Sequence, residues 1–387
     1  MIAVALSGGV DSAVAAALLC REGRRVIGLT GRLLPRHHPH WSRGCCDTDA
    51  AASLCRQLGI EHRIVDLSAD FDEHVVRPFV SGYGSGLTPN PCIPCNRDVK
   101  FGPLLARALE MGCEKLATGH YAVVERRGER WGLRRGLDRE KDQSYMLLAL
   151  SQEQLARALL PLGAMHKPQV RALADEWSLS CTHRESQDVC FAGGDVAGFL
   201  TRRLGASLGP IVDTEGHCLG RHKGLHLYTV GQRRGLGIGG TTAGLYVLAK
   251  DPSTNALIVG TREQLCVTEF RVTDVNWVSM PPPPPTVGQP SPLPPEPSHA
   301  GRPRHGEGAL PQAGRPRHGE GAPPVSCLVE LRYRGTPLEA AVTPLPDGDC
   351  AVRVCPHEQA VAPGQAAALY DTEGWLLGGG TIAATPL

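Results

Sequence analysis

Short, wholly apolar runs alternate along the first half of the chain with longer stretches whose apolar positions recur at helical spacing. IAVAL (residues 2–6) predicts a buried strand, and residues 12–22, rich in Ala and Leu, predict a helix closed by Gly23. A second strand is expected over 25–29, a helix over 47–58 ending at Gly59, and a third strand at EHRIVDL. Helices at roughly 72–80 and 98–111 then precede a short strand at KLATG. Strands alternating with helices predict an α/β fold with a doubly wound parallel sheet. Ligands in such sheets bind beyond the carboxyl ends of the strands.

From about residue 195 the pattern changes to Gly-rich, strand-like runs such as GLYVLAK and ALIVG, which predict a small central β-containing domain. SCLVELRYRG, CAVRVC and WLLGGGTI, from residue 325 onward, alternate like strands of a C-terminal β-barrel or sandwich. The expected division is 1–195, 196–272, and 273–280 with 325–387 as a barrel-like domain. Residues 281–324 contain PPPPP and two copies of AGRPRHGEGA. With almost no aliphatic surface to offset its ordering entropy, this insertion is expected to be disordered. Its four arginines offer contacts to RNA, against the simpler reading of an insertion without function.

Composition narrows the class. With 387 residues, 42% apolar and 20% charged, the chain fits a multidomain globular protein. Its longest strongly apolar stretch near the start, AVAAALLC, is about half of what a membrane span needs. The chain opens directly on IAVAL with no basic leader, so a cytoplasmic location is expected. Net charge is only +1, so any nucleic acid must be met by local basic patches. Fourteen cysteines in such a protein point to metal or thiol chemistry rather than a disulfide framework. Cys20, Cys55 and Cys113 sit in apolar, helix-like contexts and read as core.

The loop ALSGGVDSA places Leu6, Ser7, Gly8, Gly9, Val10, Asp11 and Ser12 between a strand and a helix start. Glycines there let the backbone approach an anion, and free N–H groups with the helix dipole favour phosphate. The loop lacks both the Gly-Lys-Ser/Thr ending of a P-loop and the Gly-x-Gly-x-x-Gly dinucleotide spacing. It resembles the SGGxDS loop of the PP-loop ATP pyrophosphatases, a Rossmann-like, adenine nucleotide alpha hydrolase-like fold. Those enzymes use ATP with Mg²⁺ to adenylate a substrate.

A second cluster is TPNPCIPCNRDVKF, where Cys92 and Cys95 stand at metal-ligand spacing, and a third is ESQDVCFAGG with Cys190. Taken by itself, Cys-x-x-Cys fits a structural metal, an electron shuttle or a reactive sulfur. Thiolates are strong nucleophiles near neutral pH, and persulfides stronger still.

SGGVDS, TPNPCIPCNRDVKF, ATGHY, GLDREKDQSYML, QDVCFAGG, TVGQRRGLGIGG and PGQAAALY occur in the order and approximate spacing of the bacterial tRNA-specific 2-thiouridylases. The chain resembles that family over nearly its whole length outside 281–324. The resemblance implies adenylation of O2 of the wobble uridine in Lys, Glu and Gln tRNAs. Sulfur then replaces that oxygen, with release of AMP and pyrophosphate. It further implies Cys95 as catalytic nucleophile and Cys190 as persulfide carrier, the two forming a transient disulfide. Leu6 to Ser12 and Gly119 would contact the nucleotide. Asn90, Pro91, Cys92, His120, Lys141, Asp142, Gln143, Arg332, Tyr333 and Gln365 would face tRNA. The implied partners are tRNA and a sulfur-relay protein or cysteine desulfurase, with the free protein a monomer and no membrane involved. Residue by residue, plainer roles exist: His120 as a histidine at a strand end, Asp142 as a helix cap. Arg233 and Arg234 in the Gly-rich GQRRGLG suit phosphate contact.

The sequence departs from the family pattern at Cys92, where aspartate is common. Three thiols, Cys92, Cys95 and Cys190, then suggest an alternative sulfur carrier, a [4Fe–4S] cluster with one open iron. Structural zinc, with Cys45 or Cys46 as a further donor, is a third option. Near Gly31 the family commonly has a nucleotide-contacting methionine that this chain lacks. Two other function classes compete: a PP-loop amidating ligase, and a non-catalytic, metal-stapled RNA-binding protein. Neither accounts for the loop and the paired cysteines together.

Overall fold

The computed structural model describes residues 1–35, 47–182, 189–238, 244–284, 324–356 and 360–384. The insertion expected to be disordered, 281–324, falls outside these residues but for its ends, as do Cys45 and Cys46.

The first sheet holds β1 (Ile2–Ala5), β2 (Val26–Arg32), β3 (Glu61–Asp66), β4 (Lys115–Ala117) and the two-residue β7 (Ala158–Leu159). Its order is β3-β2-β1-β4-β7, and every pairing is parallel. Helix α1 (Val10–Arg21) is buried nearly all round, which its Ala-rich sequence permits. Helix α2 (Thr48–Leu58) is capped by Asp47, whose side chain accepts from the Ala50 amide, and ends on Gly59 at φ +66°. Between β4 and β7 a hairpin of β5 (Ala122–Arg127) and β6 (Arg130–Arg135) leaves the sheet.

The central sheet has the order β10-β11-β8-β9, with β8 Gly209–Val212, β9 Cys218–His222, β10 Tyr246–Asp251 and β11 Ala256–Gly260. The third unit is a closed barrel, β12-β15-β14-β13-β16-β17. Its strands are β12 Glu269–Trp277, β13 Val325–Glu330, β14 Leu338–Pro344, β15 Cys350–Val354, β16 Ala366–Tyr370 and β17 Leu376–Ile382. Closure removes the exposed sheet edges that would otherwise invite pairing. No helix among the described residues is long and apolar enough to cross a membrane.

The helical stretch expected at 72–80 is longer and less regular: Ser68–Phe71 is α-helical, Asp72–Val76 π-helical and Arg77–Gly84 α-helical again. The stretch expected at 98–111 starts earlier, at Cys92, and is π-helical over Cys95–Leu104. Pro103 lies inside it, and Gly102 departs from helical geometry, φ −97° and ψ −111°. Proline removes one backbone donor and crowds the preceding turn, which accounts for the break in the regular ladder.

The hairpin seats the barrel on the first domain. Arg130 donates to the carbonyl of Trp277, and Gln152 to that of Val278. Deeper in the joint, Arg135 bridges Asp142 (3.2 Å) and Glu330 (2.6 Å) and lies 3.6 Å over the Tyr370 ring. Asp142 also accepts from the Gly136 amide, the Ser144 amide and the Ser144 hydroxyl, which in turn meets Tyr370 Oη at 3.0 Å. Asp142 is only 5% exposed. Its carboxylate is engaged in a domain joint and in capping the turn at Ser144, as the cap reading of this residue expects.

Two buried carboxylates here share one guanidinium, and burial pushes the Glu330 carboxyl above its ordinary 4.5 despite Arg135. Arg135→Met should leave both carboxylates uncompensated and cost about 3–5 kcal/mol. Because folded Glu330 then holds its proton to higher pH than unfolded Glu330, the deficit should shrink as pH falls toward 4.5. Thermal unfolding of wild type and variant across pH checks both the loss and its sign.

Candidate active site

The chain after β1 turns through Leu6–Gly9 into α1, at the point where neighbouring β4 ends. Gly8 has φ +81°, and a Cβ there would sit 2.7 Å from Asp47, the cap of α2. Gly9 precedes the helix with no side chain capping its amides. Ser7 and Ser12 close the turn from within: Ser12 Oγ donates to Gly9 O (2.9 Å) and meets Ser7 Oγ at 3.3 Å. Thr182 seals the outer side, its amide donating to Gly8 O (2.8 Å) and its carbonyl accepting from Val10 N (3.2 Å). Behind the loop, buried Thr30 donates to Leu6 O and accepts from His62 Nε2. Such a turn, backed by hydrogen bonds and opening on an uncapped helix start, is suited to a phosphate chain.

Asp11, in the first turn of α1, accepts from Tyr121 Oη (2.7 Å) and from Lys167 Nζ at 2.6 and 2.7 Å. Lys167 is 7% exposed and its amide donates to Asp138 (2.8 Å). Burial, then the Asp11 charge, raises the Tyr121 phenol, so it stays a donor near neutral pH. Gly119 presses on the same turn: a Cβ there would come within 2.7 Å of Asp11 C and 2.8 Å of Ser12 N. His120 next to it pairs with Thr118 (2.7 Å).

The cysteines approach from two other segments. Asn90 Oδ1 accepts from Cys92 N (3.0 Å), starting the helical turn that carries Cys95 into the core at 7% exposure. Asn96 Nδ2 donates to Met146 O (2.9 Å), while its buried Oδ1 finds no donor among the described residues. Cys190 flanks Phe191, which makes edge-on contacts with Phe71, Phe79 and Phe199 at 5.3–5.7 Å. Cys95 and Cys190 thereby pack on one hydrophobic cluster, both as thiols. Cys92 lies within electrostatic reach of Tyr333, in the barrel loop after β13.

Residues 1–194 match the family described as a tRNA methyl transferase HUP domain, 197–261 the corresponding PRC-barrel domain, and 314–382 the aminomethyltransferase beta-barrel domain. A tRNA-specific 2-thiouridylase MnmA of Chloroflexus aggregans is 43% identical over 391 residues, covering 99% of this chain and 98% of its own. That of a Synechocystis species is 41% identical over 387 residues, covering 98% and 96%. The chain belongs to the tRNA-specific 2-thiouridylase family. Among solved structures, a 4-thiouridine synthetase bound to RNA and ATP aligns at TM-score 0.31, 17% identical over 52% of this chain and 50% of that one. The U34-tRNA thiolase NcsA of Methanococcus maripaludis, with its [4Fe–4S] cluster, aligns at TM-score 0.32, 21% identical over 52% and 65%. Likeness at that level carries no functional weight.

Against the sites the 2-thiouridylase resemblance implied, the structure sorts the residues. Leu6 to Ser12 and Gly119 meet at one turn, and Asn90 and Pro91 lead directly into the helical stretch that carries Cys92 and Cys95. Arg332 is exposed, whereas Tyr333 is half-buried, its ring 6.1 Å from that of Tyr145. Gln143 braces the Tyr121 backbone through both its amide and its Oε1, and Lys141 flanks it at partial exposure. Gln365 donates to Thr88 O (2.6 Å), so its amide is engaged within the protein. Arg233 and Arg234 are exposed between glycines at positive φ. The three-thiol site is not assembled: no three His, Cys, Asp or Glu side chains converge to hold a metal among the described residues, which include Cys92, Cys95 and Cys190.

Lys167 and Tyr121 were missed. Only distant positions in a chain betray such partners, 156 residues apart for Lys167 and Asp11. Gly119→Ala should push the first turn of α1 out of place and weaken ATP binding by at least about tenfold, the scale of an overpacked contact. Calorimetric titration with ATP, alongside an unfolding curve little changed in cooperativity, checks this.

Proposed function

We propose that this chain is an ATP-dependent tRNA 2-thiouridylase acting on the wobble uridine of Lys, Glu and Gln tRNAs. One observation carries the reading. Thr182 is hydrogen-bonded to Gly8 and Val10 of the phosphate loop, and within eight residues the same segment reaches Cys190, packed on the cluster that holds Cys95. The phosphate cradle is thus tied to Thr182, and Cys190 stands eight positions further along the chain.

The loop from Ser7 to Ser12 holds the ATP phosphates so that uridine O2 attacks the α-phosphate and pyrophosphate leaves. Lys167, held on Asp11, offsets the charge that builds on the departing pyrophosphate. Mg²⁺ accompanies the nucleotide phosphates. Sulfur enters as the outer atom of a Cys190 persulfide, loaded by an upstream persulfide donor. It attacks C2, and AMP departs with the former O2. The Cys95 thiolate then attacks Cys190 Sγ, the sulfur–sulfur bond to the substrate breaks, and thiouridine leaves. The Cys95–Cys190 disulfide that remains is reduced by a thiol. Since Cys92, Cys95 and Cys190 do not gather as a ligand set, no step runs through an iron–sulfur cluster.

Purified protein with ATP, Mg²⁺, unmodified tRNA and a persulfide donor should form 2-thiouridine at the wobble position, read by nucleoside mass spectrometry. Cys95→Ser and Cys190→Ser should each lower thiolation at least about 10²-fold while tRNA-stimulated ATP–pyrophosphate exchange persists. Lys167→Met should instead lower the exchange itself by about 10²-fold. Thiolation should survive in Cys92→Ser; its loss there, with iron bound by the wild type, would restore the cluster route.

A further inference from the structure

Leu87 and Thr88 lead into the cysteine loop, and both are gripped from outside their own domain. From β10, Lys250 Nζ donates to Leu87 O (3.1 Å), Thr88 Oγ1 (3.4 Å) and Tyr228 O (3.1 Å). From the turn before β16, Gln365 donates to Thr88 O (2.6 Å), and Pro363 O accepts from Thr88 N (2.9 Å). Gly364, at φ +87°, allows this approach, since a Cβ would lie 2.8 Å from Leu87 Cβ and Thr88 N. The amide, carbonyl and hydroxyl of Thr88 are thus all committed to the central domain or the barrel.

Beyond Thr88 the chain has little slack. Pro89 and Pro91 fix their own φ angles and restrict the residues before them. Asn90 then ties Cys92 N (3.0 Å), and the helical turn runs on to Cys95. A displacement at Thr88 has nowhere to dissipate before it reaches the thiols. Nor is Lys250 a cheap fastening. It is buried enough that its ammonium pKa falls to about 8, and the three acceptors named are neutral oxygens.

We propose that Lys250 and Gln365 are positioning residues through which the central domain and the barrel jointly fix the loop that bears Cys92 and Cys95. Its bearing on catalysis rests on the thiolation reading above; the placement of the loop does not. Disturbing either neighbouring domain's grip moves Cys95 without touching the phosphate loop.

Brief iodoacetamide labelling of the full chain, with peptide mass spectrometry, reads the accessibility of each cysteine separately. In Lys250→Met, Cys95 should label about tenfold faster, the scale of one lost charged hydrogen bond in a locally opening segment. Cys55 and Cys113, buried in the first domain at 1% and 4% exposure, should keep their wild-type rates. Lys250→Arg should restore slow labelling, and Gln365→Ala should reproduce the Met variant more weakly. Single-turnover thiolation should fall in step with the labelling while KM for ATP stays within about twofold. Unchanged Cys95 labelling in both Lys250→Met and Gln365→Ala overturns the proposal. So does a parallel rise at Cys55 and Cys113, which would mean general loosening. If labelling behaves as expected but the wild type forms no 2-thiouridine, the loop placement stands and the thiolation reading falls.

Discussion

The ion pair between buried Lys167 and half-buried Asp11 is the contact on which the rest of the site depends. A lysine ammonium out of water needs a partner, and Asp11 offers both oxygens at 2.6 and 2.7 Å. Separating them would strand the buried ammonium, so the helix at Lys167–Glu176 and the first turn of α1 stay together. Tyr121 adds its hydroxyl from the loop after β4, and Gln143 braces the Tyr121 backbone. Three stretches far apart in sequence are thus fastened where β1 and β4 end. The pair also solves an electrostatic difficulty. An unpartnered carboxylate in the first turn of α1 would repel the very phosphates that the helix start attracts.

From that fixed point the sulfur side follows by short steps. Ser144–Leu147 continues directly from Gln143, and Met146 O in that turn receives the Asn96 amide beside Cys95. On the other flank, Thr182 ties the start of the Cys190 segment to Gly8. The aromatic cluster around Phe191 then settles its far end on the helices that also support Cys95.

Much of this was legible in the sequence because the signals were local. The apolar runs of β1 and β2, Gly59 after α2, and SGGVDS between strand and helix are each written in a few adjacent residues. Three of the six barrel strands, at SCLVELRYRG, CAVRVC and WLLGGGTI, likewise announced themselves by alternation. What could not be read was tertiary. Lys167 looked like an ordinary residue at a helix start, and nothing near it names Asp11. Asp142 sat in a run that the family resemblance assigned to RNA, yet its burial depends on Arg135, Glu330 and Tyr370, two of them in the barrel. The third cysteine was the reverse case. Spacing made Cys92 a candidate ligand, but ligation depends on where side chains converge, and among the described residues no such group forms.

The joints between domains share a chemistry that bears on how such an enzyme works. Arg135 with its two carboxylates, and Lys250 with its carbonyls, are buried polar fastenings where apolar packing would have held as well. Apolar faces tolerate sliding, because dispersion contacts are non-directional and many registers are close in energy. A buried charge tolerates almost none: a shift of an ångström or two leaves it unsatisfied at a cost of several kcal/mol. Polar joints therefore give the three domains one register rather than merely adhesion. Thiolating a tRNA nucleoside needs that single register more than it needs extra stability.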